Sequence, residues 1–226
     1  GVKGDHFVGD WYVRYHKLQA EDQGAEEAVR AMLRRWEEGD AATRALWRKM
    51  NDWVLDGIGL TYRRTGVSFD RTYYESELYT VGRDIVLDGV KRGLFVREDD
   101  GSVQVDLSAE GLDKEVLLRS DGTSLYLTQD IGLAIHRAKD WPFDRLIYVV
   151  ASEQRYHFQV LFKVLGKLGF DAGRLHHLAY GMVHLPEGKM KSREGTVVDA
   201  DDLLEELERM AAEEIRAKER DEEVGD

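Results

Sequence analysis

Ser120-Asp121-Gly122-Thr123-Ser124-Leu125-Tyr126-Leu127-Thr128-Gln129-Asp130 is the stretch on which the fold of this 226-residue chain turns. Before it stands Val116-Leu117-Leu118, a short apolar run of the kind a buried strand makes. After it Leu127, Ile131, Ala134, Ile135 and Ala138 recur at helical spacing, so a strand passes into a helix across a polar turn. Asp121-Gly122 supplies the turn, and Thr123 or Ser124 is the expected N-cap. Tyr126 and Asp130 lie four apart and share one helix face near its N-terminal end. Open α/β sheets place their ligands where a strand's carboxyl end meets a helix start. A phenol and a carboxylate aimed there suit a small cationic ligand. A plainer explanation competes, because the macrodipole alone favours Asp in a first turn and Tyr is a common half-buried residue.

Working outward, composition sets the bounds. The length allows one large domain or two small ones, and 42% hydrophobic with 34% charged residues is ordinary for a soluble globular protein. There are no cysteines, which excludes disulfides and thiolate metal sites and fits a cytosolic, that is cytoplasmic, protein. His6 and His16 lack metal-ligand spacing, and no metal site is expected. No run approaches a transmembrane span or resembles a signal peptide, so no membrane partner is expected. The net charge of −12 argues against gripping nucleic acid with the whole surface, while leaving room for a local basic site.

In chain order, Gly4–Val13 reads as a glycine-punctuated loop passing into a packed segment. Glu21 to Lys49 suggests two helices broken near Gly39-Asp40, with Asp40 as N-cap and the second running on through Trp53 and Ile58. Trp36, Trp47 and Trp53 read as core anchors of a helical layer rather than a platform for bases. A short helix through Ile85 and Val90 follows Phe69–Glu77. Alternation on both sides of Glu98-Asp99-Asp100-Gly101 signals a β-hairpin, expected to lie outside the main sheet.

An αβ rhythm then sets in. Leu146–Val150 is a continuous apolar run, expected to be a strand covered on both faces of a parallel sheet. A helix with Phe158, Leu161, Phe162 and Leu165 on one face ends near Gly166 or Gly169, and His177–Val183 is another strand-like run. Glu187–Gly195 is a strongly basic loop in an acidic protein, and Asp199 caps a last charged helix. The junctions after Ser120, Val150 and Val183 are expected to converge on one edge of a doubly wound sheet. They would gather Tyr126 with Asp130, Gln154 with His157, and the Lys189–Arg193 loop. Carboxylate, phenol and amide can read a guanidinium or ammonium group, and the basic loop can hold phosphates during phosphoryl or nucleotidyl transfer.

The segments Leu117–Asp130, Ile147–His157 and Tyr180–Val198 together closely resemble arginyl-tRNA synthetase, a class I aminoacyl-tRNA synthetase. Lys189-Met190-Lys191-Ser192-Arg193 resembles that family's KMSKS signature loop, with the second lysine displaced, and Gly4–Tyr12 resembles the stretch after its HIGH motif. The resemblance implies a partial Rossmann-like α/β fold of the class I synthetase (HUP) type, a parallel sheet carrying a helical and β-hairpin insertion. It implies that Tyr126, Asp130 and Gln154 contact the substrate guanidinium. Gly181, Met182 and Val183 would meet adenine by their backbone, and Lys189, Lys191, Ser192 and Arg193 would bind the ATP phosphates as the catalytic loop. His157 would either line the ATP side of the site or only cap and pack.

The activity so implied is ATP-dependent ligation of L-arginine to tRNA(Arg), with Mg²⁺ assisting. The implied divisions are 1–18 after the HIGH motif, 19–112 a connective insertion, 113–198 the second half of the nucleotide-binding domain, and 199–226 a helix leading toward an anticodon-binding domain. No HIGH-like sequence occurs in the chain, which opens on Gly1. The expectation is a portion of a synthetase, inactive alone, that meets tRNA(Arg) only through the full-length enzyme. Two rival readings are a nucleotidyl-transfer enzyme of the same fold acting on another amino acid, and a non-catalytic module that binds arginine or a nucleotide.

Overall fold

The computed structural model describes residues 1–182, 184–185, 188–189 and 198–224. The elements run α1 (Gly4–Glu21), α2 (Gln23–Glu37), α3 (Ala41–Arg64), α4 (Glu75–Lys91), β1 (Val96–Arg97), β2 (Val103–Asp106), β3 (Lys114–Leu118), α5 (Tyr126–Asp140), β4 (Leu146–Ala151), α6 (Arg155–Lys167), β5 (Leu175–Tyr180), β6 (His184–Leu185), β7 (Gly188–Lys189) and α7 (Ala200–Val224). They form two compact units, Gly1–Asp70 with Val183–Asp226, and Arg71–Met182. No helix among the described residues is long and apolar enough to cross a membrane.

The first unit is helical. The break at Gly39-Asp40 is present: Asp40 caps α3 by accepting from the Thr43 N–H at 2.7 Å, and Gly39 takes φ +88°. Gly4–Val13, expected as a loop passing into a packed segment, is helical from Gly4 and begins α1. Its glycine is a packing residue, because a Cβ on Gly4 would lie 2.2 Å from the Trp53 carbonyl oxygen, and one on Gly57 would lie 2.3 Å from Asp5. Glycine thus lets α1 and α3 approach closely rather than turning the chain. The tryptophans pack pairwise, Trp36 edge-on to Trp47 at 5.3 Å and Trp53 to Phe7 at 5.9 Å. Trp47 and Trp53 remain 37% and 38% exposed, so they seam the helices without forming a buried core. The Lys3 ammonium bonds Asp5 at 2.8 Å, Thr61 at 2.5 Å and Asp201, tying α1, α3 and α7. The Lys3 bond holds the Asp201 carboxyl below the ordinary carboxylate range. In the same unit β6 and β7 pair antiparallel, His184 opposite Lys189.

The second unit holds the hydrophobic core. The hairpin stands where alternation placed it: Val103 and Val105 are buried, Gln104 and Asp106 point outward, and Gly101 takes φ +90° in the turn. β3 joins this hairpin as the third strand of an antiparallel sheet, Val105 opposite Glu115. The expectation that it belongs to the parallel sheet is therefore corrected. The link from Leu107 to Asp113 is a single 3₁₀ turn, too short for the crossover of a dozen or more residues that a parallel return needs, so β3 folds back antiparallel on β2 and is taken into the hairpin sheet. The parallel sheet is the pair β4–β5, in register from Leu146–Leu175 to Ala151–Tyr180, with α6 as its crossover. This β–α–β unit makes the fold α/β, a partial Rossmann-like arrangement with a helical and hairpin insertion. Phe158, Leu161 and Leu165 of α6 are buried as the helical spacing requires. Among the described residues β4 is covered on one face only, correcting the second expectation: Ile147 and Val149 are 48% and 63% exposed, as are Leu178 and Tyr180 of β5 at 52% and 51%. An apolar run shows that a strand can be buried on both faces, not that both covers are present.

Candidate substrate-binding site

The polar turn of the opening stretch closes tightly. Gly122 at φ +79° donates to the Arg119 carbonyl at 2.8 Å, and the Arg119 N–H reaches the Thr123 carbonyl at 3.0 Å. Asp121 Oδ1 accepts from both the backbone and the hydroxyl of Thr123, at 2.9 and 2.7 Å, and these bonds hold its carboxyl below the ordinary range. Thr123 is thereby committed to the turn, and Ser124 bridges back to Leu118. Neither is the N-cap. Leu125 is, in extended backbone, with its N–H donating to the Thr128 hydroxyl at 3.4 Å. Thr128 is fully buried and its hydroxyl donates to the Leu117 carbonyl, fastening α5 to β3.

The other wall comes from α4. A Cβ on Gly82 would lie 1.9 Å from the Thr128 carbonyl oxygen, and one on Gly132 2.5 Å from the Gly82 nitrogen, so α4 and α5 cross almost backbone to backbone. This crossing sets the N-terminal ends of the two helices around a cavity of about 230 Å³ lined by Tyr73, Glu75, Leu78, Tyr126, Gln129, Asp130 and Leu133. Tyr126 is the first residue of α5 and is 82% exposed, with Asp130 one turn on. The Tyr73 hydroxyl donates to Asp140 at 2.8 Å, and burial together with that bond pushes its phenol upward. Gln129 Oε1 is buried without a hydrogen-bond partner among the described residues. Two carboxylates, phenols and a spare amide acceptor make a lining rich in acceptors, complementary to a compact cation with several N–H donors. A guanidinium presents five such donors in a plane.

The structure joins Asp130 to His157, whose Nε2 lies 2.7 Å from Asp130 Oδ2 across α5 and α6. The two junctions converge through this helix contact and not along one sheet edge. Gln154, the N-cap of α6, is exposed and does not line the cavity. Gly181 and Met182 follow β5 and are exposed. Lys189 is placed by its backbone in β7, while Val183, Lys191, Ser192 and Arg193 lie outside the described residues. Burial pushes the nearby Tyr148 phenol up to about 12, and its hydroxyl has no hydrogen-bond partner among the described residues.

Glu75 is the residue that sequence reasoning missed. At the first position of α4 the macrodipole explains an acid without any site. Only the helix crossing brings it to Asp130's cavity, and the available signal was the pair of glycines inside helical patterns, which marks close approach. A second grouping also escaped notice. Asp5, His6 and Asp201 are the one set of metal-type ligands among the described residues. As arranged they do not fit a metal, because the Lys3 ammonium already bonds both carboxylates. His6 Nε2 stands 3.4 Å from both Asp199 and Asp201.

Comparison with known proteins gives the family of the chain. A family model described as tRNA synthetases class I (R), catalytic domain, matches residues 6–225. The chain is 59% identical over 223 residues to the arginine–tRNA ligase of Treponema pallidum, covering 98% of this chain and 38% of that protein. With the arginine–tRNA ligase of Treponema denticola it shares 58% over 228 residues, covering 100% and 39%. The chain thus spans about two fifths of the length of these relatives. A crystal structure of arginyl-tRNA synthetase from Plasmodium falciparum superposes with a TM-score of 0.68 at 20% identity, covering 88% of this chain and 33% of that one, which establishes likeness of fold. The chain belongs to the arginine family of class I tRNA synthetases, within the family's catalytic domain.

Proposed function

We propose that this chain carries the amino-acid pocket of an arginine–tRNA ligase, which activates L-arginine with ATP and passes it to tRNA(Arg). The observation that carries the proposal is the α4–α5 cavity, where Asp130 and Glu75 line one small space with Tyr126 and Gln129. In the reaction an arginine carboxylate oxygen attacks the α-phosphorus of ATP and pyrophosphate departs. A terminal ribose hydroxyl of the tRNA then attacks the adenylate carbonyl and AMP departs. Asp130 and Glu75 hold the guanidinium and Tyr126 lies over it, while Gln154, exposed at the start of α6 and not part of the cavity lining, meets the substrate from outside it. Gly181, Met182 and Val183 meet the adenine, and Lys189, Lys191, Ser192 and Arg193 stabilise the charge that grows on the phosphates. Mg²⁺ accompanies the nucleotide.

The selectivity follows from the lining. Citrulline has the same shape without the charge and would leave two carboxylates facing a neutral urea, a loss larger than that of one hydrogen bond. The test is ATP–pyrophosphate exchange by the intact ligase that contains this chain, comparing wild type with Asp130→Asn. The expected result is exchange driven by arginine alone and reduced in the variant mainly through KM for arginine. Exchange with an unchanged arginine KM in Asp130→Asn would refute the assignment.

A further inference from the structure

His157 stands against the pocket carboxylate without lining the cavity itself, and its position is firmly built. Its Nε2 lies 2.7 Å from Asp130 Oδ2, with the two side chains 26% and 35% exposed. Its ring meets Phe158 edge-on at 5.5 Å, and Phe158, nearly buried, lies on His177 at 4.3 Å. His177 is anchored in turn through Nε2 to the Val150 carbonyl at 2.9 Å. Packed rings of α6 and β5, tied to the β4 backbone, thus back the hydrogen bond that reaches Asp130 from α6.

That bond matters because of what a carboxylate must do to select a guanidinium. A bidentate grip works only when the carboxylate and the planar fork share a plane, whereas an ammonium is a compact charge that accepts many approaches. An aspartate side chain free to turn about its two torsions would meet both. A donor fixed on Oδ2 selects one carboxylate plane and leaves Oδ1, with the second lone pair of Oδ2, to the ligand. Facing an ionised Asp130, a neutral His157 must carry its proton on Nε2 to make this bond.

We propose that His157 is a specificity-determining positioning residue: as the Nε2–H tautomer it pins Asp130 in the plane that a guanidinium requires. This rests on the guanidinium reading of the cavity. Losing the pin then weakens a planar ligand far more than a spherical one. A role in stability alone would weaken both or neither.

The experiment uses the chain as it stands, in wild-type, His157→Leu, His157→Gln and Asp130→Asn forms, each checked for folding by thermal denaturation. Imidazole ¹⁵N NMR reads the tautomer, and ligand-detected NMR titrates L-arginine and L-lysine separately. The expected result is an Nε2–H tautomer that is lost in Asp130→Asn. His157→Leu should then bind arginine about tenfold or more weakly, the scale of one lost hydrogen bond to a charged group, with lysine changed less than about threefold. His157→Gln, which still presents a neutral donor, should recover most of the arginine affinity; His157→Ala replaces the leucine variant if that one does not fold. An Nδ1–H tautomer in the wild type, or equal losses for arginine and lysine in His157→Leu, overturns the inference alone. A folded wild type with the Nε2–H tautomer that takes up no arginine overturns the guanidinium reading, and the role of His157 with it.

Discussion

Replacing Gly132 by alanine would set a methyl group 2.5 Å from the Gly82 nitrogen and 2.8 Å from its Cα, where ordinary contact begins near 3.4 Å. The obstacle is helix backbone, which cannot swing aside as a side chain can, so α4 and α5 must part by about 1 Å. A gap of that size forfeits roughly a quarter to a half of the dispersion well for contacts along the seam, where Val86, Leu127 and Ile131 are buried. Overpacking of this kind costs about 1–3 kcal/mol, to which the opened seam adds, while the better helix propensity of alanine returns about 1 kcal/mol. The expected balance is a loss of about 2 kcal/mol, a fall in Tm of roughly 10 °C for a unit of this size. Gly166→Ala is the control within the same unit, because its Cβ would meet only the Ala172 Cβ at 3.8 Å. It keeps the propensity gain without the clash and should hold or raise Tm. Thermal denaturation of the two variants checks the crossing, and a Gly132→Ala chain as stable as Gly166→Ala would refute it. Arginine affinity measured below the lowered Tm should fall as well, since Glu75 and Asp130 stand on the two helices that are forced apart.

Three further outcomes follow from the same geometry. Thr128→Val keeps shape but strips the hydroxyl from the Leu117 carbonyl and the Leu125 N–H, and should cost about 1–3 kcal/mol in urea unfolding for the groups left unpaired. Tyr148→Phe removes a buried hydroxyl that has no partner among the described residues, so no loss is expected at neutral pH. Because folding raises that phenol from 10.0 to about 12, the unfolded chain ionises it first; stability should fall as pH rises from 10 to 12, less steeply in Tyr148→Phe, as urea midpoints across that range would show. Glu75→Gln should weaken arginine binding by about 1.5–3 kcal/mol while leaving Tm nearly unchanged, measured by calorimetry beside differential scanning.

What the sequence made legible was local. Asp40 as a cap, Gly101 in a hairpin turn and the α5 stripe each depend on neighbours a few residues away, and each stands where the pattern put it. The partners of β3 were not legible, because Val116-Leu117-Leu118 is equally apolar in either sheet and the short link to β2 decides between them. The N-cap of α5 was misplaced for a related reason: Thr123 has the right chemistry, but Asp121 and Arg119 engage it first. At the site, the spacing of Tyr126 and Asp130 was readable from helix geometry. Glu75 was not, since its proximity arises from two glycines fifty residues apart in sequence, Gly82 and Gly132. The link from Lys3 to Asp201 was hidden in the same way, by separation along the chain rather than by residue type.

A guanidinium pocket in the α4–α5 cavity is tested most directly by isothermal titration of the chain with L-arginine, alongside citrulline and the Asp130→Asn variant. The expected result is a saturable heat with arginine, none with citrulline, and an affinity lowered by about 1.5–3 kcal/mol, roughly tenfold to a hundredfold, when the charge on Asp130 is removed. Equal binding of arginine and citrulline, or an undiminished affinity in a folded Asp130→Asn chain, would contradict it.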